Sequence, residues 1–247
     1  MPTFEPIKKI LNGFKKIISY WIMRARGVDK FPFIFLFFIY LTYSYYSLGQ
    51  LLTDVLLLKE DRLLESLSAI FLLVSSILLF SLANRTRIKK NYRSLTTFFL
   101  ILSFAVFVWF AEEISWGQRI LNFNIRSIEV LNAQGEVNIH NLSVVQPLLH
   151  YVYFTVFLVV AVLCILPQRK RGVMHIFPNE NLFFYFLLPS IYYLVGELMC
   201  NFPIELKGHI FSPSLTFQFQ EAYEFLLAMG TLKFSLEKYR IMIRNPV

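Results

Sequence analysis

From Phe31 onward the chain returns repeatedly to long runs with almost no charge. Their length is about 20 residues, which is what an α-helix needs to cross the roughly 30 Å hydrocarbon core of a bilayer. Such runs leave few folds open. No water is available at that depth, so each segment must satisfy its own backbone N–H and C=O groups, which a helix does. Charged residues make up only 16% of the chain, against about 25% in soluble domains. The fold class that follows is an all-α integral membrane protein, a six-span transmembrane helix bundle preceded by an amphipathic interfacial helix.

The six spans are expected at about Phe31 to Leu52, Leu67 to Leu82, Ser94 to Glu113, Leu148 to Leu166, Leu182 to Cys200 and Ser214 to Leu236, with Pro189 as a kink in the fifth. No Gly-, Ser- or Pro-rich linker divides them, so residues 31–247 read as one domain with an outer loop over 119–147. Ahead of it, in residues 1–30, Ile7, Ile10, Leu11, Phe14, Ile17, Ile18, Trp21 and Ile22 recur at helical spacing, with Lys8, Lys9, Lys15 and Lys16 off that stripe. This predicts a helix lying on an anionic leaflet. A cleavable secretory signal fits poorly, because the apolar run begins only after Lys30 and no small-residue cleavage pattern follows it.

The net charge of +8 points to anionic membrane lipid as partner and away from nucleic acid, since the basic residues border apolar spans. Alternating six spans places 19 of the 24 Lys and Arg residues on one side. The positive-inside rule then puts both termini in the cytoplasm and the 119–147 loop outside. Cys164 and Cys200 fall near opposite membrane faces, which makes a disulfide between them implausible.

The candidate site begins where the third span ends. Between Phe110 and Asn141 the chain carries Glu112, Glu113, Trp116, Gln118, Arg119, Glu136, His140 and Asn141. On a continuing helix Glu112, Trp116 and Arg119 would share a face. The fifth span adds a stripe of Tyr193, Glu197 and Asn201, and the sixth one of Thr216, Gln220 and Glu224 flanked by Glu221. His150 and His209 read as interfacial residues. All these acids lie in the outer half, which argues for one shared polar cavity, because a carboxylate in hydrocarbon needs a partner, a proton or a metal.

Glu136 and His140 at i, i+4 suit one divalent metal ion, with Glu197, Glu221 and Glu224 as further ligands. The two-histidine His-Glu-x-x-His pattern of zinc proteases is absent. In this reading Glu112 and Glu113 are the catalytic acid or base with Arg119, while Trp116, Gln118, Arg119 and Asn141 hold an anionic or polar substrate group. Each feature also has a plainer account. Arg119 with Glu112 or Glu113 fits a structural ion pair, Glu136 with His140 fits an ordered loop, and Trp116 fits an interface aromatic.

The motifs Glu112-Glu-Ile-Ser-Trp-Gly-Gln-Arg119, Asn132-Ala-Gln-Gly-Glu136 with His140-Asn141, and Gln220-Glu-Ala-Tyr-Glu224 together resemble a family of uncharacterised bacterial multi-pass membrane proteins over residues 95–236. The resemblance implies a six-span protein of the bacterial inner (plasma) membrane and brings no activity with it. The expected function is a membrane-embedded enzyme acting on a lipid-linked or amphiphilic substrate at the outer face. The alternatives are a small ion- or proton-coupled transporter, disfavoured by the dry inner halves of the spans, and a structural subunit whose outer loop docks a protein partner.

Overall fold

The structure is a computed structural model that describes residues 29–44, 63–87, 92–121, 142, 145–166, 176–201, 205–206, 209–210 and 219–244. Its elements are α1 (Phe31–Ser44), α2 (Leu63–Arg87), α3 (Arg93–Glu113), the one-turn α4 (Gln118–Leu121), α5 (Gln146–Ile165), α6 (Phe183–Asn201), the two-residue strands β1 (Glu205–Leu206) and β2 (His209–Ile210), and α7 (Gln220–Arg244). The strands pair antiparallel, Glu205 opposite Ile210, and form a two-stranded sheet beside the helices. The interfacial helix expected over residues 1–30 falls outside them, apart from Asp29 and Lys30.

Among the described residues, four helices are long and apolar enough to cross a membrane: α2, α3, α5 and the segment Glu180–Asn201 that contains α6. At about 1.5 Å per residue the 21 residues of α3 match the bilayer core. Helix α1 is a shorter apolar helix, and residues 45–52 of its expected span are outside the described set. The surface has the inside-out pattern of a lipid-facing bundle. Ile101 and Phe104 of α3 are 65% and 69% exposed, where a water-soluble monomer would avoid so large an apolar area. The chain is thus a multi-pass integral membrane protein.

The expected sixth span is corrected in kind. Helix α7 is not apolar enough to count among those four, yet it is the most enclosed element, with Ala222 to Ala228 buried without a break. It packs against α2, α6 and α1, while α3 covers α2 and α5 covers α6. A helix shielded by neighbours on several sides has no need of lipid-soluble side chains all round, so it tolerates Glu224, Lys233 and Lys238. Close packing takes the place of hydropathy. A methyl group on Gly230 would sit 2.8 Å from Tyr185 Cβ and 3.2 Å from Phe186 Cζ on α6. Gly230→Ala is expected to lower stability by about 1–3 kcal/mol through overpacking, measured as a lower unfolding midpoint in detergent.

Polar contacts pin the apolar helices together. Ser76 Oγ of α2 donates to Ser103 O of α3 at 3.0 Å and Ser103 Oγ returns a bond to Ser76 O at 2.9 Å, while Thr96 Oγ1 donates to Thr86 Oγ1. Such bonds contribute on the order of 1 kcal/mol each in bilayers. Cys164 and Cys200 are both free thiols at opposite ends of the bundle, as expected.

At the end where α1 begins, Asp29 Oδ1 accepts from Phe31 N–H at 2.9 Å, capping a helix whose first turn contains Pro32. Asp29 Oδ2 accepts from Tyr185 Oη at 2.8 Å and from Lys233 Nζ. Partial burial raises the Asp29 carboxyl, but Lys233, the Phe31 amide and the Tyr185 hydroxyl outweigh it and hold the group below its ordinary value. A depressed carboxyl contributes stability above its unfolded value, near 4, and loses it as pH falls through the folded value. Both partners are partly exposed, so the contribution is at most about 1 kcal/mol. Acidification from pH 5 to pH 3 is therefore expected to lower the unfolding midpoint of the wild type more than that of Asp29→Asn.

Candidate functional site

The opposite end of the bundle gathers the C-terminus of α3, the first turns of α5 and α7, and the last turns of α6. Glu113 is buried and accepts from Trp109 Nε1 one turn earlier at 2.9 Å. Trp109 lies 6.3 Å from the ring of Tyr153 on α5, and Tyr153 lies edge-on to Tyr193 of α6 at 5.2 Å. Tyr193, fully buried, donates to Glu224 Oε1 of α7 at 2.8 Å, and Gln220 Nε2 donates to the same oxygen at 2.9 Å. The ring of His150 lies 5.2 Å from that of Tyr193, and His150 Nδ1 meets Glu197 Oε1 at 2.6 Å. Four helices thus meet in one cluster of three buried carboxylates, one buried imidazole, two tyrosines and a tryptophan.

Helical spacing places much of this. Glu113 and Trp109, and Glu224 and Gln220, are i, i+4 pairs on one face. The stripes of the fifth and sixth expected spans do turn toward each other, at Tyr193 and Glu224. Asn201 Nδ2 donates to Glu197 O within α6 and to Tyr151 Oη across to α5. Glu221 is half-buried in the first turn of α7.

Two expectations are overturned. The helix of the third span does not continue through Arg119. It ends at Glu113, and Ser115, Trp116 and Gly117 follow with φ of 48°, 54° and 83°. Left-handed backbone costs roughly 1–2 kcal/mol at each non-glycine position, and only Gly117 escapes that cost. Trp116 still donates its indole N–H to Glu112 Oε1, but across a reversed turn and not along a helix face. The second correction is His150, which is not a surface residue at the start of its span: it is 4% exposed and bound to Glu197. Its partner lies 47 residues away on another helix, a distance at which sequence spacing carries no signal.

Among the described residues no group of three or more His, Cys, Asp or Glu side chains is arranged to hold a metal ion. Glu197 and Glu224 are instead engaged by His150, Tyr193 and Gln220. Glu136, His140 and Asn141 lie outside the described residues, as does the side chain of Arg119, whose backbone belongs to α4. Gln118 is half-buried at the start of α4.

The fold and the cluster define a class: a helical multi-pass membrane protein with an ionisable cluster buried near one end of its bundle. Comparison with known protein families, with curated proteins and with solved structures finds no match, so the likeness of the motifs identifies no family.

Proposed function

We propose that this protein is a membrane-embedded enzyme acting on a lipid-linked or amphiphilic substrate, with His150 and Glu197 as its acid–base pair and Glu113 and Glu224 beside them. The observation that carries this reading is the buried His150–Glu197 contact, joined through Tyr193 to Glu224. Ionisable groups at membrane depth are costly and are kept where they bind or move protons. A carboxylate against Nδ1 orients the imidazole, an arrangement that general acid–base chemistry uses. Glu112 and Trp116 border the cluster on the exposed side, where a polar head group would enter, with Gln118, Arg119 and Asn141 as head-group contacts.

We further propose that α1, α2, α3, α5, α6 and α7 all cross a bacterial plasma membrane with both termini in the cytoplasm. In support, the end opposite the cluster carries Arg85, Arg87, Arg93, Lys233, Lys238, Arg240 and Arg244, the basic side that the positive-inside rule assigns to the cytoplasm. Anionic lipid is the partner proposed there.

The test is turnover. Wild-type protein in nanodiscs, incubated with a bacterial lipid extract, is expected to convert at least one lipid species seen by mass spectrometry, and His150→Gln and Glu113→Gln to abolish that conversion. Full conversion by both variants would remove these residues from the mechanism, and no conversion by the wild type would remove the enzyme reading. Elemental analysis of the same preparations tests the metal-dependent form of the proposal, in which Glu136 and His140 complete a site with Glu197, Glu221 and Glu224. Near-stoichiometric metal lost in His140→Ala supports it, and metal-free active protein overturns it.

One observation favours a carrier. The basic end is not dry, because Lys238 is 2% exposed and bonded to Phe177 O, and Asp29, Tyr185 and Lys233 form a second polar knot. Proton flux into proteoliposomes driven by a pH gradient, lost in Glu224→Gln, would favour that reading over the enzyme.

A further inference from the structure

Between α3 and α5 the bundle is not closed. An apolar cleft of about 390 Å³ opens there, walled by Leu102 and Trp109 of α3 and Val156 and Val160 of α5, with Phe186 of α6 at its back. From the side we infer that a single hydrocarbon chain of a membrane lipid enters this cleft and places its polar head at the Trp109–Glu113 end, making a single-chain amphiphile with an uncharged, hydroxyl-bearing head the substrate class of the site. The inference rests on the reading of the cluster as an enzyme site for the head group, although chain binding is testable without turnover.

Three features on these helices point to this occupant. First, the cleft lies at membrane depth between two of the most apolar helices of the chain, so the medium at its mouth is hydrocarbon and not water. Second, its length fits. From Phe98 to Trp109, both of which line it, a helix rises about 16 Å, close to half of the roughly 30 Å bilayer core and hence to one leaflet's chain. Third, Trp109 joins the cleft to the cluster, because its ring lines the apolar wall while its Nε1 donates to Glu113 Oε1. A chain lying along the ring brings whatever it carries to the carboxylate.

Charge selects the head. Glu112 and Glu113 end α3 at that side, and Glu224 and Glu197 lie behind Tyr153 and Tyr193. A phosphate would meet carboxylates, whereas hydroxyl groups would donate to them. The apolar walls make the chain, and the carboxylates make the head, part of one recognition surface.

The experiment is photolabelling of the full chain in membrane vesicles with two probes that carry the same diazirine-bearing chain, a monoacylglycerol and a lysophosphatidate, followed by peptide mapping. The monoacylglycerol is expected to label Leu102, Val156 or Val160 in preference to the lipid-facing Ile101 and Phe104, and Ala105→Phe, at the edge of the cleft, to reduce that labelling severalfold. Ile101→Phe, on the outer surface, is expected to leave it unchanged and controls for folding. Labelling spread evenly over the lipid-facing residues, or unmoved by Ala105→Phe, overturns the cleft. Stronger cleft labelling by the lysophosphatidate overturns the head-group assignment. Cleft labelling without any lipid turnover would sink the enzyme reading, and with it the word substrate, while leaving the chain site standing; turnover without cleft labelling would sink this inference alone.

Discussion

His150→Leu is expected to destabilise the protein by about 3 kcal/mol, because a buried carboxyl group that loses its hydrogen-bond partner bears its full desolvation cost. The partner left behind is Glu197, 6% exposed on α6 and so largely shielded from solvent. Glu197→Leu should be comparably damaging. The double replacement should recover most of the loss, because exchanging both members of a buried pair for apolar residues is often neutral. Reversible unfolding in mixed micelles, followed by tryptophan fluorescence, measures all three. Single variants no worse than the double would mean that the 2.6 Å contact is not a coupled pair in the bilayer. The double variant also separates roles: in the proposed enzyme it regains stability but not turnover, whereas a purely structural pair would lose nothing but stability.

The parts of this arrangement that the sequence made legible are those that depend on local periodicity. Long apolar runs located α2, α3, α5 and α6 to within a few residues, because hydrocarbon permits no other backbone solution. The i, i+4 rule placed Gln220 under Glu224 and put Tyr193 and Glu197 on one side of α6. What stayed hidden depends on helix rotation and on which helices are neighbours. His150 looked interfacial because it begins a span, and only the packing of α5 on α6 reveals Glu197 opposite it. The enclosure of α7 was equally invisible. Its charged residues lower its hydropathy, and only the ring of surrounding helices shows that this costs little.

The third span gives a sharper case. The spacing of Glu112 and Trp116 suggested that they meet, and they do, yet through a chain reversal at Ser115, Trp116 and Gly117. The glycine was the only local sign of it, because left-handed φ carries no penalty there. Strain of this kind at two non-glycine residues persists only where the surroundings hold it, and here the indole–carboxylate bond to Glu112 does part of the holding. The reversal breaks the helical register of α3 after Glu113. This is why the helical-face argument cannot be extended to Arg119.

The second large effect is expected at Glu224, where one carboxylate oxygen accepts from both Tyr193 and Gln220. Glu224→Ala should cost about 3 kcal/mol, combining a buried tyrosine hydroxyl left without its acceptor with volume emptied from a packed core. Glu224→Gln keeps both the shape and an acceptor oxygen, and should cost within about 1 kcal/mol. The magnitudes decide what the residue is for. Interhelical hydrogen bonds in bilayers couple by about 0.6 kcal/mol on average and rarely by more than about 1.7. A double-mutant cycle of Tyr193→Phe with Glu224→Ala, which removes the acceptor, should therefore give a coupling inside that range, well below the cost of the alanine variant itself. Most of the damage in Glu224→Ala would then be packing, and the carboxylate charge itself would contribute little to stability. If Glu224→Gln folds normally and still fails in lipid conversion or in proton flux, the ionisable group is retained for chemistry. A coupling indistinguishable from zero would show instead that Tyr193 and Glu224 are not hydrogen-bonded in the membrane, and would detach α7 from the His150–Glu197 pair.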